Sequence, residues 1–359
     1  VENKYLTQAC RFYDSGDYEA ALAVLNDLLS VEPENAAAFF QRALVRDALE
    51  DHDGVLADYT QSMKLDRYDA GSAKNRGLEF MRRGEYEKAL ADFENALHRH
   101  QQWSLSTGNL PDAHSLAEFL MDKSHALENL GRRDEAVADA TEALECDPGS
   151  IDACQFLAYN SPGFTREHWL VRVETELKKS PGDDRLHFMQ SLLFNWAGKI
   201  EPGLIALERA IAIAPYDRDY RIEAIGRLLE LKRWPELEAQ CSRVIGLLGN
   251  DPAFNSARAY ALAHLEKHGP MLEDVALTIK LAPNASGEHY DCACTLGVAF
   301  KSNPAAVGVR RKCLELLRRA IELGFDDLDW IRNDEDFALL RNDPEFQELI
   351  SRVASKNKA

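Results

Sequence analysis

The densest cluster of chemistry-bearing side chains is His289-Tyr290-Asp291-Cys292-Ala293-Cys294. His, Asp and Cys are the ligands from which transition-metal sites are built. On a helix His289 and Cys292 share a face, but Cys294 points about 200° round from Cys292. Two cysteines that close on a helix cannot form an unstrained disulfide. The stretch therefore reads as packing, and no metal site is expected. His264 and His268, four apart beside Gly269-Pro270, read as a frayed helix end, and His98-Arg99-His100 as an exposed one. There is no GxSxG, P-loop, HExxH or dinucleotide glycine fingerprint. Carboxylates are plentiful but fall on outward helical faces. With no catalytic constellation, neither an enzymatic activity nor a cofactor is expected.

Bulk composition narrows the classes further. The 359 residues are 45% hydrophobic and carry a net charge of -18. Nucleic acid and anionic lipid both demand a basic surface, so neither is expected as the main partner. No apolar run reaches the roughly 18 to 20 residues that span a bilayer, so no membrane insertion is expected. No basic start followed by an apolar stretch marks a signal peptide, although a leader removed before Val1 would leave no trace. Seven cysteines, an odd count without framework spacing, fit a reducing cytoplasm.

The elements that carry these residues announce themselves by repetition. Gly16-Asp17-Tyr18-Glu19-Ala20-Ala21-Leu22 returns as Gly84-Glu85-Tyr86-Glu87-Lys88-Ala89-Leu90, each between two stretches of helical periodicity. Gly131 to Val137 is a third version and Gly198 to Leu204 a weaker fourth. Pro181 to Pro215 is 34 residues, and Pro215 to Pro283 is 68, twice that pitch. Small residues such as Ala9 and Ala21 fall where paired helices approach most closely. Gly16 falls in the turn, where a residue without Cβ takes positive φ freely.

A 34-residue ruler laid from Glu2 marks nine units. The third is strong (Gly77, Phe80, Gly84, Ala89, Phe93, Ala96); the second is degenerate, with Val55 at a small position. From Pro33 to Pro148 is 115 residues, three periods plus 13. The surplus is assigned to an insertion at 104–116, read as a loop. The fifth unit is eroded at Asn160-Ser161-Pro162-Gly163, and the second helix of the ninth comes late, after Ser302-Asn303-Pro304. Beyond Phe325 the ruler fails, and Arg332-Asn333-Asp334-Glu335-Asp336-Phe337 recurs nine residues on as Arg341-Asn342-Asp343-Pro344-Glu345-Phe346. Short helices with apolar faces at Trp330, Ile331, Phe337 and Leu340, then Phe346, Leu349, Ile350 and Val353, are expected to cap the stack. The tail from Ser355 to Ala359 reads as frayed. The expected division is a solenoid at 1–325 and a C-terminal cap with frayed tail at 326–359.

A 34-residue period of helix, turn and helix resembles the tetratricopeptide repeat. The resemblance implies an all-α fold, a right-handed superhelical solenoid of about nine helix-turn-helix repeats. It also implies a non-enzymatic scaffold that binds a protein or peptide segment on its concave face. The tail from Asp329 to Leu349 resembles a segment that ends bacterial arrays, including those attached to signalling kinases. That raises an alternative: the regulatory or sensory region of a larger bacterial signalling protein, such as a Ser/Thr kinase. One subfamily grips acidic chaperone tails with a clamp of Lys, Asn and Arg. Its positions here read Leu6, Cys10, Gln41, Gly71 and Asn75, so the acidic-tail clamp is absent, and Lys74 alone does not replace it.

In that family first-helix residues three and four apart line the groove. On this register they are Leu6, Phe40, Leu44, Lys74, Leu78, Met81, Met121, His125, Phe188, Leu192, Asn195, Ile222, Leu229, Tyr260 and Tyr290. An apolar, Met-bearing stripe suits an amphipathic helix or extended peptide. Equally, it suits a groove filled from within by the cap, a loop or a neighbouring chain.

Overall fold

The computed structural model describes residues 4–109, 112–161 and 163–356. Glu2, Leu110, Pro111, Pro162 and 357–359 lie outside the described residues, as does the Val353 side chain. The described residues are all-α, with consecutive helices folded into pairs. They fall into two compact units, Val1–Pro181 and Gly182–Ala359.

The first unit holds α1 (Lys4–Asp14) with α2 (Tyr18–Val31), α3 (Ala36–Ala48) with α4 (His52–Leu65), and α5 (Ala70–Arg82) with α6 (Tyr86–Thr107). α7 (Ala113–Asn129) pairs with α8 (Arg133–Cys146), and α9 (Ile151–Asn160) is followed by α10 (Arg166–Lys179). The second unit holds α11 (Asp184–Trp196) with α12 (Ile200–Ile213), and α13 (Arg218–Glu230) with α14 (Trp234–Leu248). α15 (Pro252–His264) and α16 (His268–Leu281) follow, then α17 (Ser286–Ser302) and α18 (Val307–Glu322). It ends with α19 (Leu328–Asn333), a 3-10 turn at Glu335–Phe337, and α20 (Pro344–Lys356).

Seven of the turns within pairs share one chemistry. The residue just past the first helix is left-handed: Gly16, Glu50, Gly84, Gly131, Gly198, Lys232 and Glu266. The next N–H then donates to the carbonyl five residues back, as in Asp17 to Phe12, Glu85 to Phe80 and Lys267 to Leu262, each at 2.9 Å. This closure satisfies helix-end carbonyls that would otherwise be orphaned. Acidic or amide side chains open many of the helices: Asp17, Asn35, Asp51, Asp69 and Asp112 each accept an N–H from the first turn.

Small residues allow the helices of a pair to meet. Ala9, Ala21, Ala43, Ala89 and Ala136 are at most 1% exposed, and Val55 is fully buried at its small position. Across the pairs runs a second repeated device, which the sequence reading did not find. Arg42, Arg76 and Arg258 each form a two-pronged ion pair with an aspartate 16 residues on, Asp58, Asp92 and Asp274. Lys123 does the same with Asp139 through one bond. Each arginine also donates back to the preceding pair, to Asn26, Thr60 or Ser242. One guanidinium thus ties three helices.

Several expectations need correction. The 13 surplus residues at 104–116 are mostly helix rather than loop: α6 continues for 22 residues until Gly108 turns left-handed, and Asp112 caps α7. His98-Arg99-His100 is therefore interior to α6, where His100 packs edge-on to Phe119 and Arg99 donates to the carbonyls of Met63 and Asp66 at the end of α4. His264 is not frayed; its ring lies flat on Trp234 with centroids 4.0 Å apart. Of the tail read as frayed, Ser355 and Lys356 continue α20, and the rest lies outside the described residues. After α18, Ile331, Phe337, Leu340, Phe346, Leu349 and Ile350 are buried in one core with α15–α18, but Trp330 remains 61% exposed.

Candidate functional site

The stripe expected to line a groove divides by depth. Met121, Phe188, Leu192 and Tyr290 are buried at 3 to 8% exposure. Met121, Phe188 and Leu192 are thus core side chains rather than groove anchors, and Phe188 stacks on Tyr220 at 4.6 Å. Spacing set their face correctly but not how far the neighbouring helix covers them. Leu6, Leu44, Leu78, Met81, Ile222 and Leu229 are half-buried. Phe40 leans on Tyr59 at 5.9 Å, and Asn195 covers Gly203.

The polar members are engaged with neighbouring first helices. Lys74 on α5 reaches Glu118 and Asp122 on α7, at 2.9 and 3.6 Å. His125 meets Asp152 on α9 at 3.0 Å, and this partner raises its pKa above the ordinary value. Burial pushes the Asp122 carboxyl up to about 6. Positions of the missing clamp are likewise engaged, Cys10 with Gln41 and Asn75 with the Tyr59 hydroxyl.

The second unit holds open space on this face, a pocket of about 570 Å³ lined by Ile222, Leu229, Tyr260 and Tyr290 from the expected set. Its floor is aromatic: Trp234 stacks on His264, and Tyr260 stands edge-on to both at 5.8 and 4.9 Å. Such a cluster has few rotamers to lose on binding. Ile225 on α13 completes the apolar side, with Gly226 leaving its rim open.

The opposite wall comes from the segment after α18. Gly297 on α17 has no Cβ, and the space a Cβ would take lies 2.5 Å from the Asp336 carbonyl oxygen. This close approach brings Asp334 and Asp336 onto the first-helix face. The Tyr290 hydroxyl donates to Asp334 at 2.7 Å and the Tyr260 hydroxyl to Asp336 at 2.9 Å. Burial and these carboxylates drive both phenol pKa values far up, so the hydroxyls stay protonated donors. The Cys294 thiol joins the Asp334 carboxylate at 3.5 Å, and burial holds it well above the ordinary thiol range.

Cys294, Asp334 and Asp336 thus bring ligand atoms within 4.8 Å of one another, a grouping the sequence reading missed because two members lie outside the repeats. Phenol, thiol and backbone donors already occupy these carboxylates, so the cluster functions as a latch. Cys292 faces away from it: burial pushes its thiol up to about 12, with the Thr278 hydroxyl opposing. Asp291, at the mouth, is open to water yet enclosed by protein on its other sides. That confinement, with Glu288 and Asp334 nearby, holds its carboxyl up at about 6.

No helix among the described residues is long and apolar enough to cross a membrane. The model of the tetratricopeptide repeat family matches residues 6–62 and 74–151. Tetratricopeptide repeat protein 36 of Danio rerio is 36% identical over 87 residues, 23% of this chain. The matched stretch is 46% of that relative, so the chain spans about half its length. Among solved structures, yeast Tom70 aligns over 98% of this chain and 91% of its own, at 13% identity and a TM-score of 0.43. YrrB, described as a TPR protein with an unusual peptide-binding site, aligns over 55% of this chain and 94% of its own, at 18% identity and a TM-score of 0.32. The family match at 6–62 and 74–151, together with left-handed turns that keep the 34-residue pitch from Gly16 through Glu50 to Gly84 and again from Gly198 through Lys232 to Glu266, marks the chain as a tetratricopeptide repeat protein.

Proposed function

We propose that this chain is a non-enzymatic scaffold that binds a peptide or protein segment on the first-helix face of its second unit. Tetratricopeptide repeat proteins are typically protein–protein interaction scaffolds. The observation that carries the reading is the 570 Å³ pocket with an aromatic floor and Ile222 and Leu229 half-exposed beside it. A concave apolar site with a few placed polar groups is the usual form of a binding pocket. Its neighbouring thiols fit poorly with nucleophilic chemistry, because burial raises them and a thiol attacks only as thiolate.

Site-specific photocrosslinking tests this. A photoreactive residue at Gly226, on the pocket rim, should label a discrete segment of the partner, and Leu229→Asp should remove that label. The same group at Ile205, exposed on the second helix α12, should label nothing in particular. Equal labelling at both places, or labelling at 226 that survives Leu229→Asp, would overturn the proposal.

A further inference from the structure

We infer that the second-unit pocket selects a cationic segment: a large apolar side chain seated on the Trp234–Tyr260 floor, with an adjacent arginine or lysine held by carboxylates at the mouth. The inference rests on the scaffold reading and adds the chemistry of the ligand.

Two independent observations meet here. The first is the apolar slot, whose Trp234, Tyr260 and Leu229 offer contact area without a polar group that demands satisfaction at the centre. The second is charge. Of the described residues that line the slot, Glu288, Asp291, Asp334 and Asp336 are carboxylates, and Lys232 is the one cation. The inner pair, Asp334 and Asp336, is partly satisfied by the two tyrosine hydroxyls. Glu288, half-buried, and Asp291, exposed, line the same slot from α17.

The energetic sense follows from confinement. Burial, then the Glu288 and Asp334 carboxylates, holds Asp291 up at about 6; Asp336 is also at about 6, but there the Tyr260 hydroxyl opposes the burial, so the less compensated negative charge is the one at Asp291. An ammonium or guanidinium placed beside Asp291 and Glu288 relieves that deficit. An acidic segment would add to it, and a purely apolar one would leave it and desolvate the mouth as well. The net charge of -18 also steers a cationic segment toward the chain before contact. Arginine fits better than lysine where two carboxylates are offered, because its planar fork bonds both.

The test uses the full chain and three fluorescein-labelled decapeptides with a common Trp-Leu-Leu core, flanked by Arg, by Gln or by Glu. Fluorescence anisotropy should rank them Arg, then Gln, then Glu, with the Arg peptide about tenfold tighter than the Gln peptide at low salt. Added salt should compress that gap. Asp291→Asn combined with Glu288→Gln should erase most of the Arg advantage and leave the Gln peptide unchanged, with circular dichroism confirming an intact fold. If all three bind alike and only Leu229→Asp weakens them, the charge assignment falls while the scaffold reading stands. If the Glu peptide binds best, the selection is of the opposite sign. If Leu229→Asp affects none of them, the pocket is not the site and both readings fall.

Discussion

Gly77 and Gly226 are both helical glycines, and the structure separates their roles by what a single methyl group would meet. A Cβ at Gly77 would sit 2.6 Å from the Phe93 ring, and Phe93 is fully buried, so the ring cannot swing aside. Gly77→Ala should therefore lower stability by about 1 to 3 kcal/mol through overpacking. At Gly226 a Cβ would meet nothing within 4 Å on an exposed face. Gly226→Ala should instead raise stability by roughly 0.5 to 1 kcal/mol, the ordinary helix preference of alanine over glycine. Thermal or urea unfolding of the two variants checks the pair, and shifts of the same sign would refute the assignment. Gly297 is a third case, because the atom it admits is backbone. Gly297→Ala should push the Asp334–Phe337 turn off α17, seen as faster amide exchange there and a widened pocket.

At the scale of elements, the helix pairs and their pitch were legible because Gly16, Gly84, Gly131 and Gly198 recur with the same apolar neighbours. Their left-handed partners Glu50, Lys232 and Glu266 were not, since the same backbone conformation hides behind ordinary side chains. An L-residue there costs about 1 to 2 kcal/mol, and glycine recovers part of it against its own greater freedom when unfolded. Glu50→Gly, Lys232→Gly and Glu266→Gly should each stabilise by a few tenths to about 1 kcal/mol, which unfolding curves resolve. The Arg–Asp pairs at 16-residue spacing were also present in the sequence, but charged residues on a helix are usually a solvated face. Asp92 is nevertheless only 6% exposed in its side chain, with Arg76 at 21%. Arg76→Met strands that carboxylate and should cost about 3 kcal/mol or more, and Arg76→Met with Asp92→Leu should recover most of it. The pocket was the least legible feature. Part of its wall comes from Asp334 and Asp336, whose docking depends on the absence of a Cβ at Gly297, a long-range fit with no periodic signal.

For the molecule as a whole, the acidic composition and the confined carboxylates together set how stability responds to pH. Asp122, Asp291 and Asp336 are each raised from 3.8 to about 6, with burial the leading cause. A carboxyl that binds its proton more tightly when folded adds stability as pH falls through the folded value, complete below the unfolded one. The window is therefore about pH 6 down to about 4. His125, raised by Asp152, acts in the same direction: its stabilisation is present below 6.5 and lost as pH rises through the folded value. His264 opposes: burial lowers it, so below 6.5 the unfolded chain takes up the proton more readily than the folded one and stability falls. Asp112 and Glu135, lowered by Ser115 and Arg132, lose their contribution only as pH falls below about 4. Protonation across the upper window also relieves the self-repulsion of a chain at -18. The melting temperature should consequently rise from pH 7.5 to about 5 and fall again below about 4. Asp122→Asn and Asp336→Asn should each flatten the rising limb, and an exposed carboxylate such as Asp53→Asn should not. A melting temperature that falls steadily from neutral pH downward would show that these carboxylates are solvated rather than confined, and would remove the electrostatic basis for a cation at the mouth of the pocket.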